Sequence, residues 1–430
     1  MRLKTAALIT AMVLVFIGSG IARAEITKTQ VTINTYEDAF GQIDGDYVVW
    51  QGRGNLPDAL YDADDWEIFL YNTATGASTQ LTDNDNVDDL NPRTDGRYVV
   101  WWSDKPTGAE VWLYDIGTGT PIQISPSDGH NHYLPVIASG RVAWVRYTLG
   151  DVTSREIFFY DVLNPPALQI TDNSVDDSAP RISDQYLAWI QTDSDQNSKV
   201  YVRDLSSGEI QEAANPSVWG MSPQKDGSLS VSLSHDGEDW EVIIKDTVLK
   251  YSESITDNNV DDRHPRLGAN RIVWAAGEGK MSEIFLAVYT SLVCLTPGHD
   301  AVLSRLQPPT FTWASVGYDK FKVEFSEDPD FSTANSIALP LGKDDWLSET
   351  SFTPTKGQWE LVGQIGGTDG RVYWRVKGKD TEENVAFNDP LAFTLVAEEA
   401  ADLTTGMRGV TGDGDSGGLC FIGTAARSSW

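Results

Sequence analysis

The stretch Asp44-Gly45-Asp46-Tyr47-Val48-Val49-Trp50 returns as Asp95-Gly96-Arg97-Tyr98-Val99-Val100-Trp101, then as Gly140-Arg141-Val142-Ala143-Trp144 and Asp184-Gln185-Tyr186-Leu187-Ala188-Trp189. Weaker copies end at Ser232 and Trp274, so the marker position recurs at intervals of 51, 43, 45, 43 and 42 residues. The first interval is stretched by the acidic insertion Asn55 to Asp65. Self-similarity at such a period is the signature of a repeat architecture, and six units fit residues 36 to 290.

Each unit carries a second apolar run after the marker: Glu67-Ile68-Phe69-Leu70-Tyr71, Glu110-Val111-Trp112-Leu113-Tyr114, Glu156-Ile157-Phe158-Phe159-Tyr160, Lys199-Val200-Tyr201-Val202, Glu241-Val242-Ile243-Ile244 and Glu283-Ile284-Phe285-Leu286. These runs are β-branched and aromatic and end in turns such as Thr75-Gly76 and Ser207-Gly208, so they read as strands. A third run, Ser78-Thr79-Gln80-Leu81-Thr82 in the first unit, closes the unit, and a short strand after each Pro brings the count to four. Four short strands repeated radially make a β-propeller. The sixth unit stops after its third strand at Tyr289, and an extra alternating strand, Ile26 to Ile33, precedes the first unit. It is expected to supply the missing outer strand and close the ring, which removes an unpaired sheet edge.

The run Leu81-Thr82-Asp83-Asn84 through Asp88-Asp89-Leu90-Asn91-Pro92 to Asp95-Gly96, with near copies at Thr171 to Pro180 and Thr256 to Pro265, resembles the TolB-type periplasmic propeller repeat over roughly residues 25 to 290. The resemblance implies a binding scaffold more than an enzyme, although fold alone does not dictate chemistry.

Aligned on the Pro, the units place a polar pair at one corner of each blade: Glu37-Asp38, Asp88-Asp89, Asn131-His132, Asp176-Asp177 and Asp261-Asp262, with Trp219-Gly220 breaking the pattern in unit five. Because the pair precedes the innermost strand, Asp38, Asp88, Asp89, His132, Asp176, Asp177, Asp261 and Asp262, with His264 beside them, are the candidates for a ligand-binding channel mouth. Like charges there would suit calcium or another divalent cation, or a basic ligand. No cofactor motif accompanies them. The competing reading is structural, each Asp holding backbone N–H groups of a tight turn. The runs Asp83 to Asp88 and Asp193 to Asn197 alternate oxygen ligands but lack the Gly and Glu of an EF-hand loop, so they read as solvated turns.

Outside the repeat, residues 1–24 have the pattern of a secretory signal peptide: Arg2 and Lys4, an apolar run from Ala6 to Ile17, and Ala22-Arg23-Ala24, with cleavage expected after Ala24. That run is too short to span a bilayer. Residues 291–396 alternate apolar and polar in Thr310-Phe311-Thr312-Trp313, Lys320 to Phe325 and Val372-Tyr373-Trp374-Arg375-Val376, as in a β-sandwich. The order of these runs resembles a fibronectin type III domain, which implies adhesion or spacing. Cys294, inside Leu292-Val293-Cys294-Leu295, reads as a small buried hydrophobe.

Residues 397–430 turn Gly-rich and end in Gly417-Gly418-Leu419-Cys420-Phe421-Ile422-Gly423-Thr424-Ala425-Ala426, similar to Cys-Phe-Ile-x-Thr-Ala-Ala tails of secreted bacterial proteins. That likeness implies sorting or surface attachment through Cys420, although Gly423 stands where such tails have Ala; the alternative is a plain flexible tail with a free thiol. Gly414-Asp415-Ser416-Gly417-Gly418 spells a serine-protease nucleophile pentapeptide without the His, Asp and two barrels such chemistry needs.

Composition favours cations and basic surfaces as partners. In 430 residues, 63 Asp and Glu face 32 Lys and Arg, a net charge of −31 that opposes nucleic-acid binding. Hydrophobic residues at 40% suffice for real cores. The expected protein is an exported monomer of the bacterial periplasm or cell surface, with a six-bladed propeller at residues 25–290, contacting a protein or cell-envelope component without catalysis. The alternatives are a propeller-type polysaccharide lyase or hydrolase using a cation at the channel mouth, and a purely structural envelope spacer.

Overall fold

The computed structural model describes residues 8–17, 20–34, 36–53, 65–84, 86–148, 151–213, 224–226, 228–248, 251–277, 282–366, 369–381 and 383–396. Its first six sheets are the six repeat units, and the expected propeller is present. Blade two shows the plan: inner strand Asp88–Thr94, then Tyr98–Asp104, Glu110–Asp115 and outer strand Thr120–Gln123, each antiparallel to the next. Inner strands of neighbouring blades pack side by side. That of blade six (Asp262–Gly268) packs against that of blade one (Asp38–Asp44), which makes the arrangement a ring.

The marker residue forms the core because a fully buried strand must present bulk to both neighbouring sheets. Trp50, Trp101, Trp144, Trp189 and Trp274 are all buried. Each sits directly opposite the aromatic of the third strand: Phe69, Trp112, Phe158, Tyr201 and Phe285. Four of these pairs stack with ring centroids 5.5–6.0 Å apart, the offset geometry aromatic rings favour.

Closure occurs as expected. Strand Gly20–Gln30 runs antiparallel to Glu283–Thr296, with Ile26 opposite Tyr289 and Gln30 opposite Phe285, so the chain's own start supplies the outer strand of blade six. Every pair from Glu25 onward lies beyond the expected cleavage point. The backbone of Leu8–Ile17 adds a further strand outside it. No helix among the described residues is long and apolar enough to cross a membrane.

The boundary expected at residue 290 lies inside one continuous strand. Glu283–Thr296 leaves blade six and pairs with Phe311–Val316, which in turn pairs with Ser351–Phe352. This layer faces a second sheet ordered Ala301–Ser304, Leu391–Val396, Arg371–Lys379, Lys320–Ser326, Ser336–Leu339. Phe311, Trp313, Phe321, Phe325, Trp359, Trp374 and Phe393 fill the space between, so a β-sandwich follows the propeller. Cys294 is buried there as expected, its sulfur receiving the Asn388 side-chain N–H at 3.0 Å. One helix, Lys356–Ile365, was not foreseen. Thr355 and Gln358 cap it reciprocally, and Trp359, Val362 and Ile365 face the core.

Candidate functional site

The polar pairs lie at the seams between blades, and the two members of each pair do different work. In the seam from blade one to blade two, Asp88 Oδ1 accepts from the backbone N–H of Trp66 in the preceding blade, at 2.9 Å. Asp89 turns inward and is fully buried; its Oδ1 accepts from Trp101 Nε1 at 3.0 Å and from the Ser103 hydroxyl. The connecting loop locks both: Asn84 Nδ2 donates to Asp89 Oδ2 at 2.6 Å, Asn84 N donates to Glu67 Oε1 at 3.0 Å, and Ile68 N donates to Thr82 Oγ1 at 2.8 Å.

The same set recurs in the seam between blades three and four, with Thr171, Asn173, Asp177, Trp189 and Glu156, and there Arg155 pairs with Asp176. It recurs again at the ring closure. Thr32 and Asn34 follow the closing strand and hold Glu283, Ile284 and Asp38, and Trp50 Nε1 donates to Asp38 Oδ1 at 2.9 Å. In the seam from blade five to six, Asn258 N donates to Glu241 Oε1 at 3.0 Å and Trp240 N to Asp261 Oδ1 at 3.3 Å. Asp262 and Trp274 interact there without completing a well-formed hydrogen bond. Asp38, Asp89, Asp177 and Asp262 are thus buried inside blades and do not form a channel mouth. The turn-capping alternative was nearer, although the groups held belong mainly to a tryptophan and to the neighbouring blade.

Blade three carries a chemical substitution. His132 replaces the buried Asp, and Asp128 replaces the loop Asn. Trp144 Nε1 donates to His132 Nδ1 at 2.8 Å, so the ring proton sits on Nε2 and is given to Asp128 Oδ1 at 3.1 Å. Both ring nitrogens are engaged, and burial holds the imidazole below its ordinary pKa. The carboxylates shift the other way. Burial pushes Asp38, Glu67 and Asp262 up to about 7, and raises Asp89, Glu156, Asp177 and Glu283.

The channel itself is lined differently. Every inner strand whose start is described has a register shift one turn of the pleat after the polar pair, a β-bulge. The bulge residue is left-handed in all five: Phe40 (φ 57°), Asn91 (52°), Leu134 (54°), Ala179 (50°) and His264 (53°). His264 is therefore at the inner edge, where it stacks on Phe40 with centroids 4.6 Å apart. Leu134, Ala179 and His264 are exposed.

At the start of the third strand of blade five, ligand atoms of Asp236, Asp239 and Glu241 lie within 4.8 Å of one another. Sequence reasoning had not selected these three, though Asp239-Trp240-Glu241 repeats Asp65-Trp66-Glu67 of blade one. Burial, with the charges of Glu241, Asp236, Asp261 and Glu238, pushes Asp239 up. Asp193 accepts from the backbone N–H groups of Asp195 and Asn197, the solvated turn expected. Trp219, Gly220, Ser416 and Cys420 lie outside the described residues.

No family model and no curated protein matches the chain. Among solved structures it is similar to an oligogalacturonate lyase from Vibrio parahaemolyticus, at 13% identity over 66% of this chain and 98% of that one, with a TM-score of 0.40. It is also similar to TolB from Acinetobacter baumannii (14% identity, 59% and 64% covered, TM-score 0.35). A third is the β-propeller domain of the trilobed protease from Pyrococcus furiosus (10% identity, 65% and 89% covered, TM-score 0.35). The likeness is one of fold, and the sheet order of the chain itself defines that fold.

Proposed function

We propose that this is an exported binding propeller without catalytic chemistry of its own, which meets its ligand at the channel edge formed by the inner-strand bulges. One observation carries the reading. A left-handed backbone at a non-Gly residue costs about 1–3 kcal/mol, and five blades adopt it at the same place. The buried seam residue is Asp in four blades, Asp38, Asp89, Asp177 and Asp262, and changes only in blade three among the described seams. At the bulge the geometry repeats while the side chain changes from Phe to Asn, Leu, Ala and His. A position with fixed geometry and free chemistry is where a repeat scaffold can read a ligand.

The absence of catalysis is supported by the occupation of the acids and of His132 in the seams, where hydrogen bonds and burial fix them. Export to the periplasm or cell surface is supported by the leader pattern ending at Ala24. A protein or cell-envelope component remains the partner class we favour, with the sandwich as spacer and the tail around Cys420 as the attachment point.

Two measurements test this. N-terminal sequencing of protein exported from full-length precursor is expected to begin at Glu25; an uncleaved cell-associated chain contradicts export. Native mass spectrometry of the exported protein is expected to show a retained species that Ala179→Trp, which narrows the channel, no longer holds. Retention of the same species by the variant, or turnover of that species by the wild type, contradicts binding at the channel edge.

A further inference from the structure

Immediately after the bulge and its Pro, three blades carry an arginine: Arg93 in blade two, Arg181 in blade four and Arg266 in blade six. They occupy one register position, opposite Val100, Ala188 and Val273 of their second strands. The equivalent position in blades one and three holds Gln42 and Val136. Alternate blades of a closed ring therefore point three guanidinium groups at one level of the channel.

All three adopt the same posture. Nη1 donates to the carbonyl of the preceding Pro, at 3.2 Å for Arg93, 3.1 Å for Arg181 and 3.0 Å for Arg266. This local bond fixes the orientation of each planar group, and among the described residues it is the one hydrogen bond each group makes. None of the three joins an ion pair among the described residues. In a chain with 63 acids and 32 bases, three unpaired arginines at one place run against the composition.

Arg93 and Arg266 are half-buried and Arg181 is exposed, yet burial pushes Arg93 down to about 10, helped by the charges of Arg266 and Arg181. Arg266 is lowered by burial and by Arg181. Arg93 and Arg266 thus sit within range of the other guanidinium charges, and no carboxylate among the described residues is paired with any of the three. His264, at the bulge directly before Pro265, keeps an exposed edge but is partly desolvated, with its ring stacked on Phe40, and that, with the charges of Arg266, Arg263 and Arg93, lowers its pKa.

We propose that Arg93, Arg181 and Arg266 form an anion-binding site in the propeller channel, for a compact ligand bearing two or three carboxylate or phosphate groups. The guanidinium fork matches both oxyanions in bidentate fashion. The surrounding negative surface makes the site selective, because only a ligand small enough to enter the channel escapes repulsion. His264 and Phe40 at the rim would contact whatever part of the ligand projects outward. This inference rests on the channel-edge reading above and names the chemistry of its ligand.

The test is a titration of the full chain at low ionic strength with citrate and with inorganic phosphate, against chloride at matched ionic strength, followed by calorimetry and thermal unfolding. Citrate or phosphate is expected to bind and to raise Tm, chloride to do neither, and added salt to weaken the effect. A charged hydrogen bond is worth about 1.5–3 kcal/mol, so each of Arg93→Gln, Arg181→Gln and Arg266→Gln should weaken binding about tenfold or more. The triple variant should lose binding and, without ligand, melt no lower than wild type, since the mutual repulsion is gone. Unchanged affinity in the triple variant overturns the proposal, as does the absence of any polyanion effect on wild type. If polyanions fail while Ala179→Trp still abolishes retention of the exported protein's own ligand, only the anion assignment falls. If both fail, the channel-edge reading falls with it.

Discussion

Replacing Asp89 by Ala tests whether the buried acids hold the blades or serve a ligand. The carboxylate accepts from Trp101 Nε1, the Ser103 hydroxyl and Asn84 Nδ2. Asn84 is exposed and regains water, and the hydroxyl of Ser103 can rotate. Trp101 is 2% exposed and can do neither. One stranded indole donor costs about 1–3 kcal/mol, and loss of the tie between loop and inner strand adds to it. We expect about 2–3 kcal/mol in all. At about 2–4 °C per kcal/mol for a domain of this size, Tm falls by roughly 4–12 °C. Asp89→Asn keeps an acceptor for Trp101 and should cost less than the Ala variant. Because burial raises the Asp89 pKa, the Asn variant should also gain on wild type as pH rises from about 4, the unfolded value, to about 8, since the wild-type acid must ionise inside the blade. The assay is scanning calorimetry of the three proteins at both pH values. An Ala variant that melts with wild type, or an Asn variant that loses ground as pH rises, would refute the seam reasoning.

Three further outcomes are expected. Asp38, Glu67 and Asp262 are pushed up to about 7 by burial, above unfolded values of about 4, so the folded chain holds protons that the unfolded chain has released. Stability is then highest at the acid end of that window and falls as pH rises through about 7. His132 opposes this only below about 6.5, where the unfolded imidazole takes up a proton the buried ring resists; Tm is thus expected to be lower at pH 8 than at pH 5.5, and a rise over that interval contradicts it. In blade three, His132→Asp alone puts a second carboxylate beside Asp128 and should cost about 2–3 kcal/mol, while Asp128→Asn with His132→Asp restores the Asn–Asp pair of other seams and should recover most of it. Urea unfolding of the double-mutant cycle reads this directly, and additive losses would refute it. In the sandwich, Trp374 is fully buried against Phe311, centroids 4.8 Å apart, and Trp374→Ala should cost about 3–5 kcal/mol; limited proteolysis should then cut residues 291–396 first.

The propeller was legible because its information is local and repeated. A marker position every 42 to 51 residues, Trp in five units of six, with β-branched third strands and an orphan strand at the start, suffices for blade count and closure. The polar pairs were legible as positions but not as roles, since whether an Asp faces a channel or a neighbouring blade depends on the twist between blades, and sequence spacing does not encode that. The bulge at Phe40, Asn91, Leu134, Ala179 and His264 needs a positive φ, which Gly or Asn announces, and only Asn91 of the five is such a residue. The arginines were hidden for the same reason: three residues separated by 88 and 85 positions converge only when the ring closes. The helix at Lys356–Ile365 was readable, since Thr355-x-x-Gln358 before an apolar run is a capping-box signature. The surrounding strand pattern outweighed it.

The most direct test of the whole account sets the seam against the channel in one pair of measurements, urea unfolding and citrate titration, made on wild type, on Asp89→Ala and on the triple Arg93, Arg181, Arg266→Gln variant. The account predicts a crossed result: Asp89→Ala loses stability and keeps its citrate affinity, whereas the arginine variant keeps its stability and loses the affinity. An Asp89→Ala protein of wild-type stability that no longer binds would return the buried acids to the binding site and contradict the account.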